Sequence, residues 1–137
     1  MKKLLILVSV GLLSLGLATL AAGEEAGVMK GTKDNVAFMT GGVSKGERSE
    51  MEAASDKYNL KVVLATEEGA YLARLPVWIQ DAQGKQVLEV ETNGPWLYAK
   101  LPDGRYTVKS MHGGVEKMRT LRVDEGLEVV MLNWSIQ

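Results

Sequence analysis

Cysteine is absent from the sequence, which excludes disulfides, thiol catalysis and cysteine-ligated zinc. Histidine occurs once, as His112 in the glycine turn "MHGG", so a zinc site built on two histidines is excluded as well. Aromatics are scarce, with one Phe, three Trp and four Tyr. Positive charge is not in excess either: 16 Lys and Arg face 17 Asp and Glu. No basic stripe is present, which argues against nucleic acid as a partner.

What is present begins with "MKKLLILVSVGLLSLGLATLAAG". Two lysines precede an apolar run from Leu4 to Leu20, followed by the small residues Ala21, Ala22 and Gly23. This is the layout of a secretory signal peptide over residues 1–23. No cysteine follows the run, so a lipoprotein anchor is excluded, and the expected location is periplasmic or secreted, without a membrane anchor after processing. Loss of Lys2 and Lys3 with the leader leaves 14 basic and 17 acidic side chains, a net charge of −3, on 114 of the 137 residues. That is a common size for one domain. Without disulfides, an exported domain of this size relies on its apolar core.

Residues 24–37 are polar and contain glycine, and are expected to form a flexible lead to a domain over 38–137. Ser44 and Glu47 have the spacing of a capping box, which predicts a short helix over about 45–55 with Met51 and Ala54 on one face. "TGGVSKG" lacks the Gly-Lys-Ser/Thr order of a phosphate-binding loop. From Tyr58 the periodicity becomes two. Leu60, Val62 and Leu64 share a face, as do Leu75, Val77 and Ile79, Leu88 and Val90, Leu97, Ala99 and Leu101, and Tyr106 and Val108. With "VEKMRTLRV" and "LEVVMLNWSI", seven strands are predicted, separated by turn residues. The expected fold is mainly β, a seven-stranded antiparallel β-sandwich of transthyretin or immunoglobulin type with one short N-terminal helix. The pattern slip within "VEKMRTLRV" predicts a bulge or an edge strand there.

"GPWLYAKLPDGRYTV" compresses two aromatics, a turn and a third aromatic into fifteen residues. Pro102 fixes its φ, Gly104 tolerates positive φ, and Tyr106 is placed to bury its ring while its hydroxyl reaches a backbone carbonyl. Such a corner is a folding device.

"LPDGRYTV", preceded by "VWIQDAQGKQVLEVETNGPWLYAKL", resembles the carboxypeptidase regulatory-like and transthyretin-like β-sandwich domains. Gly41-Gly42-Val43, Gly46-Glu47, Met51, Tyr58-Asn59-Leu60, Gly94-Pro95 and Trp134 are similar to small exported bacterial proteins of this fold with no assigned chemistry. The resemblance covers most of residues 38–134. It implies the fold and leaves function open, since this scaffold is widely reused. The ureide hydrolases of the transthyretin-like group use several histidines, an arginine and a Ser-rich C-terminal tetrapeptide. A single His112 and the ending "NWSIQ" do not supply that set.

No serine lies in a Gly-x-Ser-x-Gly elbow. The turn acids Asp81, Asp103 and Asp124 form no Asp-x-Asp-x-Asp-Gly calcium loop. No catalytic residue, cofactor or metal site is therefore expected. Alternation puts Trp78, Trp96 and Tyr98 opposite the core-facing residues, where they would form a surface for a partner or a sugar ring unless the helix covers them with Met51 and Phe38. The function expected is a non-catalytic envelope module binding another envelope protein. A carbohydrate- or peptidoglycan-binding module using those aromatics is the alternative, and an unrecognised hydrolase the second alternative.

Overall fold

The computed structural model describes residues 27–135. The expected signal peptide lies outside the described residues, as do positions 24–26 of the expected lead. The rest is mainly β: nine strands in two sheets, with one α-helix. One sheet has the order β1 (Met29–Lys33), β2 (Val36–Gly41), β6 (Trp96–Ala99), β3 (Leu60–Thr66), β9 (Glu128–Trp134). The other has the order β5 (Gln86–Glu91), β4 (Pro76–Gln80), β7 (Gly104–His112), β8 (Val115–Val123).

All seven predicted strands are present, as β3 to β9. The two additional ones are β1 and β2, where a flexible lead was expected up to residue 37. Asp34 and Asn35 both adopt positive φ, 48° and 69°, and so make the two-residue turn that matches strand twist. β1 therefore folds back on β2 with Gly31 opposite Phe38. The helix, α1 (Lys45–Ala53), consequently follows a hairpin and is not N-terminal; a 3₁₀ turn over Ser55–Lys57 succeeds it. The pairing is not wholly antiparallel, because β9 runs parallel to β3 from Leu60↔Glu128 to Thr66↔Trp134. β8 is an edge strand in unbroken register with β7, so the pattern slip in it marks exposure rather than a bulge. The register shift lies elsewhere, between Ile79 and Gln80 against β5.

The sheets face each other across one apolar core. The alternating sets expected from sequence all point into it, joined by Val36, Phe38, Val123, Val130, Leu132 and Trp134. Side chains of this size stabilise by roughly 1.5–3 kcal/mol each when fully buried. At the corner, the Tyr106 hydroxyl donates to the Pro102 carbonyl at 2.7 Å, with the ring buried. Burial first, and then Asp81 and Asp103, raise the pKa of this phenol.

α1 is fastened at its start. Ser44 Oγ accepts from the Glu47 N–H at 3.1 Å, while Glu47 Oε1 accepts from the N–H groups of Gly42 and Val43 at 3.0 and 3.1 Å. The glutamate thus reaches past the cap residue and ties down the turn before it, a variant of the capping box. Arg48 Nη1 adds a bond to the Gly42 carbonyl at 2.8 Å. This fixes the angle at which α1 leaves β2 and lies on the outer face of the first sheet.

Candidate functional site

The three aromatics proposed from sequence do not form one surface. Trp96 and Tyr98 lie on the outer face of the first sheet, beneath α1, at 6% and 1% exposure. They form a second apolar cluster with Met39, Met51 and Val63, bordered by Val28, Ala54 and Tyr58. Met51 plays the covering role expected of it. Phe38 does not: it points into the main core, and its neighbour Met39 meets the rings. A shift of one residue along a strand exchanges its faces.

The rings are packed edge to face, Trp96 against Tyr98 at 6.3 Å between centroids and Tyr58 tilted against Tyr98 at 5.8 Å. Lys61 Nζ sits 3.5 Å from the Trp96 centroid. Burial lowers the Lys61 pKa, with Glu52 acting in the opposite direction. Burial likewise pushes the Tyr98 phenol up to about 12, helped by Glu52, and raises Tyr58. This cluster holds α1 to the sheet, with the Trp96 and Tyr98 rings buried. Trp78 belongs to the other sheet. It is half-buried on that sheet's outer face, between Glu89 of β5 and Lys109 of β7.

His112 also has a structural setting. Its ring meets Trp134 edge-on at 5.9 Å, and Trp134 Nε1 donates to the Val115 carbonyl at 2.8 Å. These residues, with Lys117, line a hollow of about 370 Å³ between the β7–β8 turn and the end of β9. A larger, open hollow of about 810 Å³ lies where the turns at 34–35, 81–85 and 102–105 meet. It is lined by charges of both signs, including Asp34, Asp81, Lys85, Asp103 and Arg105. Among the described residues no group of three His, Asp or Glu side chains converges as metal ligands would, and no helix is long and apolar enough to cross a membrane.

The surface that the aromatic argument missed is the side of the fold bordered by β8 and β9. Each closes its sheet. Val115 and Met118 on β8 and Val129 and Met131 on β9 are 50%, 52%, 57% and 44% exposed, Met118 on the outer face of the second sheet opposite Lys109 and Met131 on that of the first opposite Val63. Arg119 Nη2 bridges the two strands by donating to the Met131 carbonyl at 3.2 Å. The sequence signal was the broken alternation in "VEKMRTLRV" and the adjacent "VVML", in which apolar residues fall on both faces. Chemically, this side offers backbone hydrogen-bonding groups, exposed methionine and valine, and basic side chains.

The sequence matches no family model, and no curated protein is significantly similar to it.

Proposed function

We propose that the chain is a non-catalytic, exported β-sandwich module of carboxypeptidase regulatory-like or transthyretin-like kind. In this reading it works as an accessory or structural component by binding another envelope protein. The observation that carries the reading is the nine-residue edge strand β8, unbulged against β7 and exposed along nearly its whole length, with apolar side chains on it and on the neighbouring β9. Proteins ordinarily blunt or cover such an edge, and apolar groups beside it favour burial against a partner.

A glycan platform draws less support, because two of its three aromatics are under α1 and the third stands alone on the opposite sheet. The test is a crosslinking pull-down from the native envelope with the wild-type chain and with a Met118→Asp/Met131→Asp variant of unchanged near-UV circular dichroism. A protein retained by the first and lost by the second is the expected outcome. Equal capture by both baits, or none, sinks the reading. In that case tryptophan fluorescence titrated with cell-wall fragments examines the glycan alternative.

A further inference from the structure

The β7–β8 hairpin turns through Gly113 and Gly114, whose φ values are 59° and 79°. In a two-residue hairpin of this kind the flanking pair, His112 and Val115, exchanges both backbone hydrogen bonds. Alternation from that pair turns the N–H and C=O groups of Lys117, Arg119 and Leu121 toward β7. Those of Glu116, Met118, Thr120 and Arg122 point the other way, off the end of the sheet. Among the described residues these four make no other backbone hydrogen bond. A regular row of open donors and acceptors is a template for one more strand.

Charge selects the occupant. Residues 104–123 carry Arg105, Lys109, Lys117, Arg119 and Arg122 against the single acid Glu116, in a chain whose net charge is −1. Lys109 faces Glu116 and Arg122 faces Asp124, each at 4.0 Å, which leaves Lys117 and Arg119 as the edge's unneutralised charges. A second copy is the competing occupant. The antiparallel register that would satisfy all four open residues makes two favourable Glu116–Arg122 pairs but sets Arg119 against its own copy at the two-fold axis. Like charges directly opposite are destabilising. Lys117 and Arg119, which face the inside of the fold, guard the edge against self-pairing for the same reason.

We propose that this edge accepts an extended acidic segment of a partner protein as a fifth strand beside β8. Its carboxylates lie within reach of Lys117 and Arg119 on one face of β8, and its apolar residues lie beside Met118 on the other. An inward side chain near Val115 and Lys117 enters the hollow lined by His112 and Trp134. The inference rests on the binding-module reading and gives its partner a chemistry.

The test is a selection of phage-displayed random decapeptides on the purified chain. Enriched peptides are expected to be acidic with alternating apolar residues. They should bind Thr120→Pro about tenfold more weakly or worse, since the ring removes an outward N–H and obstructs the edge. Thr120→Ala controls for the hydroxyl contact with Thr107 at 3.2 Å and should bind as wild type. Lys117→Glu/Arg119→Glu keeps the outward backbone groups and should reverse the charge preference; it decides the matter if Thr120→Pro does not fold. No acidic enrichment, or binding indifferent to both variants, overturns the proposal. So does a dimer in sedimentation that Thr120→Pro dissociates, which would assign the edge to a second copy. An envelope partner still captured by Thr120→Pro overturns it while leaving the binding-module reading standing.

Discussion

The ammonium of Lys61 lies over the ring of Trp96, 3.5 Å from its centre, and 5.5 Å from that of Tyr98. Its stem covers apolar surface that α1 leaves open. Removing it with Lys61→Ala forfeits the cation–π attraction and that cover, and lowers unfolding free energy by about 1 kcal/mol. Urea titration followed by tryptophan emission measures the change, and an unaltered midpoint would contradict the role assigned to this contact.

The same cluster makes stability fall in alkali. Tyr98, pushed up to about 12 by burial and then Glu52, keeps its proton where the unfolded chain has already ionised. The unfolded state then binds fewer protons, so stability declines as pH rises from the ordinary tyrosine value of 10.0 toward 12. Lys61, lowered by burial, contributes in the opposite sense below its ordinary 10.5, because there the unfolded chain holds more protons. Tyr98→Phe is expected to remove most of the alkaline decline, read as thermal midpoints at pH values from about 9 to 11.

Met51 is fully buried between α1 and the sheet. Met51→Ala leaves a cavity at that junction and costs about 2–5 kcal/mol. Because the lost volume lies in the cluster that buries Trp96, acrylamide quenching of tryptophan should rise before the main unfolding transition. A variant as stable as wild type would mean that α1 does not depend on this anchor.

Gly94 lies against the backbone of Gly41, and a Cβ there would collide with the Gly41 carbonyl. Neither side is a flexible side chain that can move away. Gly94→Ala is expected to cost about 3 kcal/mol by forcing β6 and β2 apart, whereas Gly84→Ala, whose Cβ meets nothing within 4 Å but whose φ is 81°, loses only about 1 kcal/mol. Chemical denaturation of the pair separates steric clash from backbone preference.

Period-two alternation made the inward faces of β4, β5 and β7 readable, since those strands bury one face and expose the other at least in part. β3 and β6 are covered on both faces and were legible because core aliphatics alternate with Lys61 in one and with Trp96 and Tyr98 in the other. β2 escaped: it is covered on both faces too, Phe38 by the core and Met39 by α1, and its sequence "VAFMTG" carries no alternation. β1 escaped for the opposite reason: "MKGTK" has no buried residue. The turn signal Asp34-Asn35 between them was available. Alternation also states which side chains leave the core without stating which sheet they leave from. Hence Trp78 and Trp96 share a parity but stand on opposite outer faces. The parallel pairing of β3 with β9 is a tertiary choice that no local pattern encodes.

That pairing also imposes an order on folding. β3 has its outer neighbour in the last of the nine strands, and Val130, Leu132 and Trp134 enter the core with it. A nascent chain that has not yet released Glu128 to Trp134 carries an open flank on its first sheet and an unfilled core, and contacts of such long sequence separation form slowly. The C-terminal strand acts as a latch. For a chain proposed to cross a membrane before folding, a latch that closes last keeps the polypeptide threadable until transit is done.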